Sequence, residues 1–209
     1  MSHVWPEHVT AVDDRHRLGR RARLPRPAVG ALAVTGLVPV LLGRMRRELL
    51  RDGRLSAPTV TAMYGAYALH GLAVGVSAWR RSVPLPPRTA VVGTPLAAAG
   101  SGLVMAGMSR FVGPGQVSST QVGELTTGGV YRLSRNPQYA GYVLALVGLG
   151  MARRSGGVVA LAAGAGAVFA WWVPVKERAL RRTFGLPYEH YLATHTPRWL
   201  GRPQRGSGR

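Results

Sequence analysis

Residues 126–150, TTGGVYRLSRNPQYAGYVLALVGLG, pass from a polar, glycine-bearing loop through Arg135, Asn136 and Pro137 into an apolar run. Asn136 suits the N-cap of a helix and Pro137 its first turn, so the pair predicts a helix start with no chemistry attached. That leaves Arg135, Tyr131, Tyr139 and Tyr142 to be explained. A helix N-terminus presents free N–H groups and positive potential, which together make an anion site. Arg135 would add a fixed charge and a two-pronged donor for a carboxylate or phosphate. Gly141 has no side chain, so a ligand could lie against the helix there. The tyrosines offer stacking faces and hydroxyls. The competing reading is an aromatic belt at a membrane interface beside an ordinary capped helix.

Glu177 is the second part of the candidate site. It directly follows the last apolar run, beyond Trp171, Trp172 and Pro174. If residues 137–151 and 156–175 form an antiparallel hairpin about Arg153-Arg154-Ser155, the start of one and the end of the other share a membrane face. Arg135, Asn136 and Glu177 are then neighbours. An acid beside an anion-binding helix end suits a ligand with both charges, such as an amino acid moiety. The bland alternative is an Arg135–Glu177 ion pair, weak and common at interfaces.

The elements that must position these residues are apolar runs separated by arginines. Of 209 residues, 46% are hydrophobic, and 27 Lys+Arg face 8 Asp+Glu for a formal charge of +19. The runs are 28–43, 58–79, 89–109, 137–151 and 156–175. A span needs about 20 apolar residues, so the first and fourth are short. The pattern predicts an all-α, polytopic membrane helix bundle of about five transmembrane helices. Two short helices in the basic tail, 176–209, would lie at the membrane surface. Arginines that bracket apolar runs read as membrane flanks meeting lipid phosphates, and they argue against nucleic acid as the partner. Five spans put the termini on opposite sides, and the positive-inside rule favours a cytosolic C-terminus. Residues 1–27 read as a basic tail, disordered or lying on the surface, with no signal-peptide cleavage site. Gly71 and Gly75 form a small-residue pair suited to close helix packing.

Other chemistries find no constellation. There is no cysteine, so thiolate metal sites and cysteine nucleophiles are excluded. His70 stands alone mid-run, and His190 and His195 lack helical zinc spacing, so no metal site is expected. No G-x-S-x-G motif supports a hydrolytic triad.

At the residues singled out above, the sequence resembles the isoprenylcysteine carboxyl methyltransferase and phospholipid methyltransferase family of integral membrane methyltransferases. Thr127, Gly128, Gly129, Val130, Tyr131 and Arg132 match the first part of its motif. Arg135, Asn136, Pro137, Gln138, Tyr139, Ala140 and Gly141 match the second. Lys176, Glu177, Leu180, Phe184, Gly185, Tyr188 and Tyr191 follow its later motif, and Pro197-Arg198 resembles the usual close. Asn136 replaces the family's usual His, and Lys176 replaces the first of two Glu. The resemblance covers residues 120–203 and implies a cofactor-binding core there, with residues 28–119 as the acceptor side and 204–209 as a tail. It implies S-adenosylmethionine as cofactor, in a pocket roofed by the C-terminal segment. Arg135 and Asn136, with Pro137 at the helix start, would meet its carboxylate, and Tyr131, Tyr139 and Gly141 would line the pocket. Glu177 would take its ribose hydroxyls or amino group, and Arg135 and Glu177 are the candidate catalytic pair. The methyl acceptor would be a lipophilic molecule entering from the membrane, an isoprenylcysteine-like carboxylate or a lipid head group. The site would face the cytosol of a multi-pass protein, in the cell membrane if bacterial. Two alternatives stand beside it: an NADPH-dependent membrane reductase of the sterol reductase type, and a non-catalytic membrane scaffold.

Overall fold

The computed structural model describes residues 26–111, 115, 124–193 and 197–200, with the backbone alone for 26–36. Of the expected tails, 1–27 and 204–209, residues 1–25 and 204–209 lie outside the described residues, and Arg26 and Pro27 open a helix instead. Contacts divide the chain into two units, Met1–Leu37 and Val38–Arg209. The described part of the first is the opening of one helix; the second holds the rest.

The described chain is all-helical: α1 (Arg26–Asp52), α2 (Ala57–Trp79), α3 (Thr89–Met108), a 3-10 turn (Gly129–Arg132), α4 (Pro137–Ala152), α5 (Gly156–Phe184) and α6 (Leu186–Ala193). An isolated antiparallel bridge joins Pro84 and Ser155. By length and composition, α3 and α5 are apolar enough to cross a membrane. Only 17% and 33% of their apolar windows are buried, the reverse of core helices in a soluble protein. The 16 residues of α4 are short, as the sequence suggests, and α2 is diluted by threonines, tyrosines and His70.

Two boundaries differ from the sequence reading. α1 runs well past the apolar stretch 28–43, to Asp52. α5 does not stop at the end of its apolar run. It passes through Pro174 and continues to Phe184, absorbing the first of the two expected surface helices. The reason is that Lys176–Arg182 are good helix formers, and their inner face stays packed: Val175 and Ala179 join Trp172, Met45, Leu49 and Leu55 in one core cluster. The break comes at Gly185, with φ 53°, after which α6 begins.

Close helix packing occurs where glycines face backbone, and this is not at Gly71 and Gly75. Around those two there is nothing within 4 Å of an added Cβ. The tight contact is instead between α3 and α4. A methyl at Gly100 would run into Ala145 and, at 2.7 Å, the Gly141 carbonyl oxygen; one at Gly148 would run into Ala97. This contact sets the height of the α4 start against α3.

The far end of the hairpin is tied down by Ser155. It caps α5 through Val158 N–H and donates its hydroxyl to the Ser77 carbonyl at 2.9 Å. At the near end, Glu48 of α1 accepts from the Ser56 N–H at 2.9 Å and the Thr59 hydroxyl at 2.7 Å, and pairs with Arg44. The Ser56 N–H above all, then the Thr59, Arg44 and Ser56 side chains, hold its carboxyl at about 2 against the opposing cost of desolvation. Arg182 of α5 donates to the Leu50 carbonyl at 2.7 Å. The ends of α1, α3 and α5 and the start of α4 thereby meet at one end of the bundle.

Candidate functional site

The expected hairpin forms, and it brings Arg135 to Glu177. Arg135 Nη1 lies 3.2 Å from Glu177 Oε1. A third residue completes the cluster: Arg198 donates from Nη2 to Glu177 Oε2 at 2.7 Å and from Nε to Oε1 at 3.2 Å. The carboxylate is buried between two guanidiniums, one half-buried and one at the surface (side chains 17% and 46% exposed). The Nε of Arg135 is buried and has no partner. It is therefore a free donor pointing into a desolvated site, which an incoming acceptor atom would satisfy.

Asn136 occupies the N-cap position, but its side chain makes no capping bond. Its amide instead donates to the Arg198 carbonyl at 3.1 Å. Arg135 N–H donates to the Pro197 carbonyl at 2.9 Å, and Asn136 N–H to the Ser134 hydroxyl at 3.0 Å. The segment Pro197–Leu200 is thus strapped across the start of α4, where the sequence reading placed free N–H groups. Pro137, in the first turn, is buried against Gly107 of α3.

The aromatic residues fall into two groups. Tyr131 is buried in the 3-10 turn. Its hydroxyl bonds at 3.3 Å to Gln138, and its carbonyl accepts from the Tyr191 hydroxyl at 2.7 Å. Burial pushes the Tyr131 and Tyr188 phenols up to about 12, so both stay protonated at neutral pH. Tyr139 faces the other way, stacked on Phe169 with centroids 4.5 Å apart. The ammonium of Lys176 stands 5.1 Å from the centre of its ring. Phe169 meets Tyr142 edge-on, and Tyr142 lies 6.0 Å from His70, whose buried Nε2 has no partner. Gly141 faces α3: an added Cβ would lie 2.8 Å from the Gly100 carbonyl oxygen. Its missing side chain admits a helix, not the ligand the sequence reading gave it.

Between α4 and α5 runs an open apolar groove of about 310 Å³, lined by Val143, Leu144 and Phe169 among others and roofed by Trp199. Among the described residues, no three His, Asp or Glu side chains gather as a metal ion would require.

Residues 89–186 match the model of the phospholipid methyltransferase family. The resemblance to that family is shown over this stretch. No curated protein and no solved structure matches the chain. The matched stretch takes in α3, α4 and α5. It therefore includes the Arg135–Glu177 pair, and it supports a membrane methyltransferase. It stops short of Tyr188, Tyr191 and Arg198.

Sequence reasoning noted Pro197-Arg198 as a motif ending but missed that Arg198 is the closest partner of Glu177. It also missed Arg110, whose guanidinium lies against Gly128 and Gly129, 3.0 Å from where a Cβ would stand at either. The positive φ of 62° at Gly129 is a second reason for glycine there.

Proposed function

We propose that this chain is a multi-pass membrane methyltransferase that uses S-adenosylmethionine to methylate a lipophilic acceptor. The observation that carries the reading is the buried Glu177 carboxylate held by Arg135 and Arg198 at the open end of the α4–α5 hairpin, with Arg135 and Glu177 inside the stretch that matches the phospholipid methyltransferase family. Its chemistry fits the amino acid part of the cofactor: Arg135 Nε is a buried donor without a partner, and Glu177 is a buried acceptor. Arg135 and Asn136, at the α4 start, would hold the cofactor carboxylate. Glu177 would take the amino group or ribose hydroxyls, with the more exposed Arg198 as the partner that gives way. Tyr131 and Tyr139 would line the cofactor pocket.

When bound, the cofactor supplies an activated methyl group on a sulfonium. This chain's residues bind and orient the reactants and exclude water. Holding two reactants in line can remove about 7–11 kcal/mol from a bimolecular barrier. The exposed apolar faces of α2 and α3 (Leu72, Val91 and Met105 among them) suit lipid, and the groove below Trp199 suits an apolar chain. Arginines 44, 46, 47, 51, 54, 110, 132, 135, 178, 181, 182 and 198 belong to the end holding the site, against 80, 81, 88, 153 and 154 at the other. That asymmetry favours a cytosolic site.

The test is calorimetric binding of S-adenosylmethionine and S-adenosylhomocysteine to detergent-purified protein, with NADPH as control. Micromolar binding of both sulfur ligands, lost in Arg135→Ala and Glu177→Gln, is expected. Binding of neither by folded protein, or of NADPH instead, overturns the reading.

A further inference from the structure

Lys176 is the only lysine in the chain; the other 26 of its 27 Lys+Arg residues are arginines. At the helix ends and in the tails arginine serves throughout. The one ammonium stands in the candidate site, with Nζ 5.1 Å from the Tyr139 ring centre. Among the described residues, no carboxylate lies within ion-pair distance of it. Glu177, its neighbour in sequence, has both oxygens engaged by Arg135 and Arg198. Arg135 and Arg198 therefore share the one carboxylate, and Lys176 is left without one. Lys176 is half-buried; a charge drawn even partly from water needs a partner, and an aromatic face is a weak one.

We propose that Lys176 holds an oxyanion of the methyl acceptor, a carboxylate or a phosphate, and so restricts the acceptor to acidic lipophilic molecules. The proposal rests on the methyl-transfer reading above. In that reading the methyl donor is itself a sulfonium. An amine-bearing acceptor would add charge to a corner already in positive excess, whereas an anionic acceptor offsets it. The choice of lysine follows from the same geometry. A guanidinium over Tyr139 would lie flat on the ring with its donors turned to the edge, while a compact ammonium keeps its donors for a ligand oxygen. Phe169 links the two parts of such an acceptor's surroundings, since it stacks on Tyr139 and also lines the apolar groove.

Because Lys176 carries the only side-chain amine, reductive methylation read by mass spectrometry reports on it directly. The full chain, in nonionic detergent at neutral pH with S-adenosylhomocysteine, is labelled in the presence of decanoate, decyl phosphate, decyltrimethylammonium or decanol. An oxyanion probe is expected to slow labelling of Lys176 by about tenfold, the factor that one 1.4 kcal/mol contact gives. Decyltrimethylammonium, which the reagent cannot label, and decanol should leave the rate unchanged. Protection by decanoate alone assigns a carboxylate, and by decyl phosphate alone a phosphate; either supports the proposal. Calorimetry on Lys176→Met completes the test. This variant should bind S-adenosylhomocysteine as the wild type does while losing the preference for oxyanion over alcohol. Equal protection by all four probes, protection by neither oxyanion, or a preference that survives in Lys176→Met overturns it. Failure of the wild type to bind S-adenosylhomocysteine sinks the methyl-transfer reading instead, and the labelling result still decides what Lys176 binds.

Discussion

Replacing Gly148 by alanine sets two effects of opposite sign against each other. In a helix interior, glycine to alanine is worth about 1 kcal/mol in favour of the folded state. Here the new methyl would collide with the backbone of Ala97 and lie 2.8 Å from the Gly93 carbonyl oxygen. Backbone cannot rotate aside as a side chain can, so α3 and α4 must separate. Overpacking of this kind costs about 1–3 kcal/mol, and the upper end applies. The net is about 2 kcal/mol of destabilisation, or a melting temperature lower by about 4–8 °C for a chain of this size. Gly75→Ala is the control. It makes the same change on α2, where an added Cβ has nothing within 4 Å, so it should melt about 2–4 °C above the wild type. The assay is thermal unfolding of both variants in one detergent, followed by tryptophan fluorescence. Gly148→Ala melting at or above the wild type would refute the reasoning, and so would an equal fall in Gly75→Ala.

The remaining predictions concern the ties around the site. The folded pKa of Glu48, about 2, lies below its ordinary value of 4.5. Its stabilising contribution is therefore complete above pH 4.5 and is lost as pH falls through about 2. The melting difference between wild type and Glu48→Gln should be largest near neutrality and vanish toward pH 2; a gap independent of pH would contradict the assignment. Tyr191→Phe removes the 2.7 Å hydrogen bond to the Tyr131 carbonyl. It should cost about 1 kcal/mol, roughly 3 °C in the same melting assay, and an unchanged melt would show that this tie carries no stability.

Much of the near-site architecture was legible from local chemistry. Asn136-Pro137 marks a helix start, Gly185 a helix end, and Arg153-Arg154-Ser155 a tight return. Those three signals are enough to bring Arg135 and Glu177 to one face, because a hairpin of two helices has little freedom in where its open ends meet. The resemblance read from residues 127–141 and 176–191 is likewise carried by short-range motifs, and the match over residues 89–186 agrees with it.

Only the tertiary structure decided how the helices are turned about their axes. α3 and α4 are apolar on every side, so no amphipathic stripe in the sequence says which face is inward. Hence Gly71 and Gly75 looked like a packing pair, although the backbone contact falls on Gly100, Gly141 and Gly148. Gly141 looked like a ligand surface for the same reason. The partners of Asn136 and Glu177 were hidden differently. Arg198 is 62 residues beyond Asn136 and 21 beyond Glu177. Its return depends on the α5 extension, the turn at Gly185 and the docking of α6 together. Helix starts and stops are set by neighbours within a few residues, and the sequence determined those. Rotation, depth and long returns are set by how whole surfaces fit, and those were settled only when the helices packed.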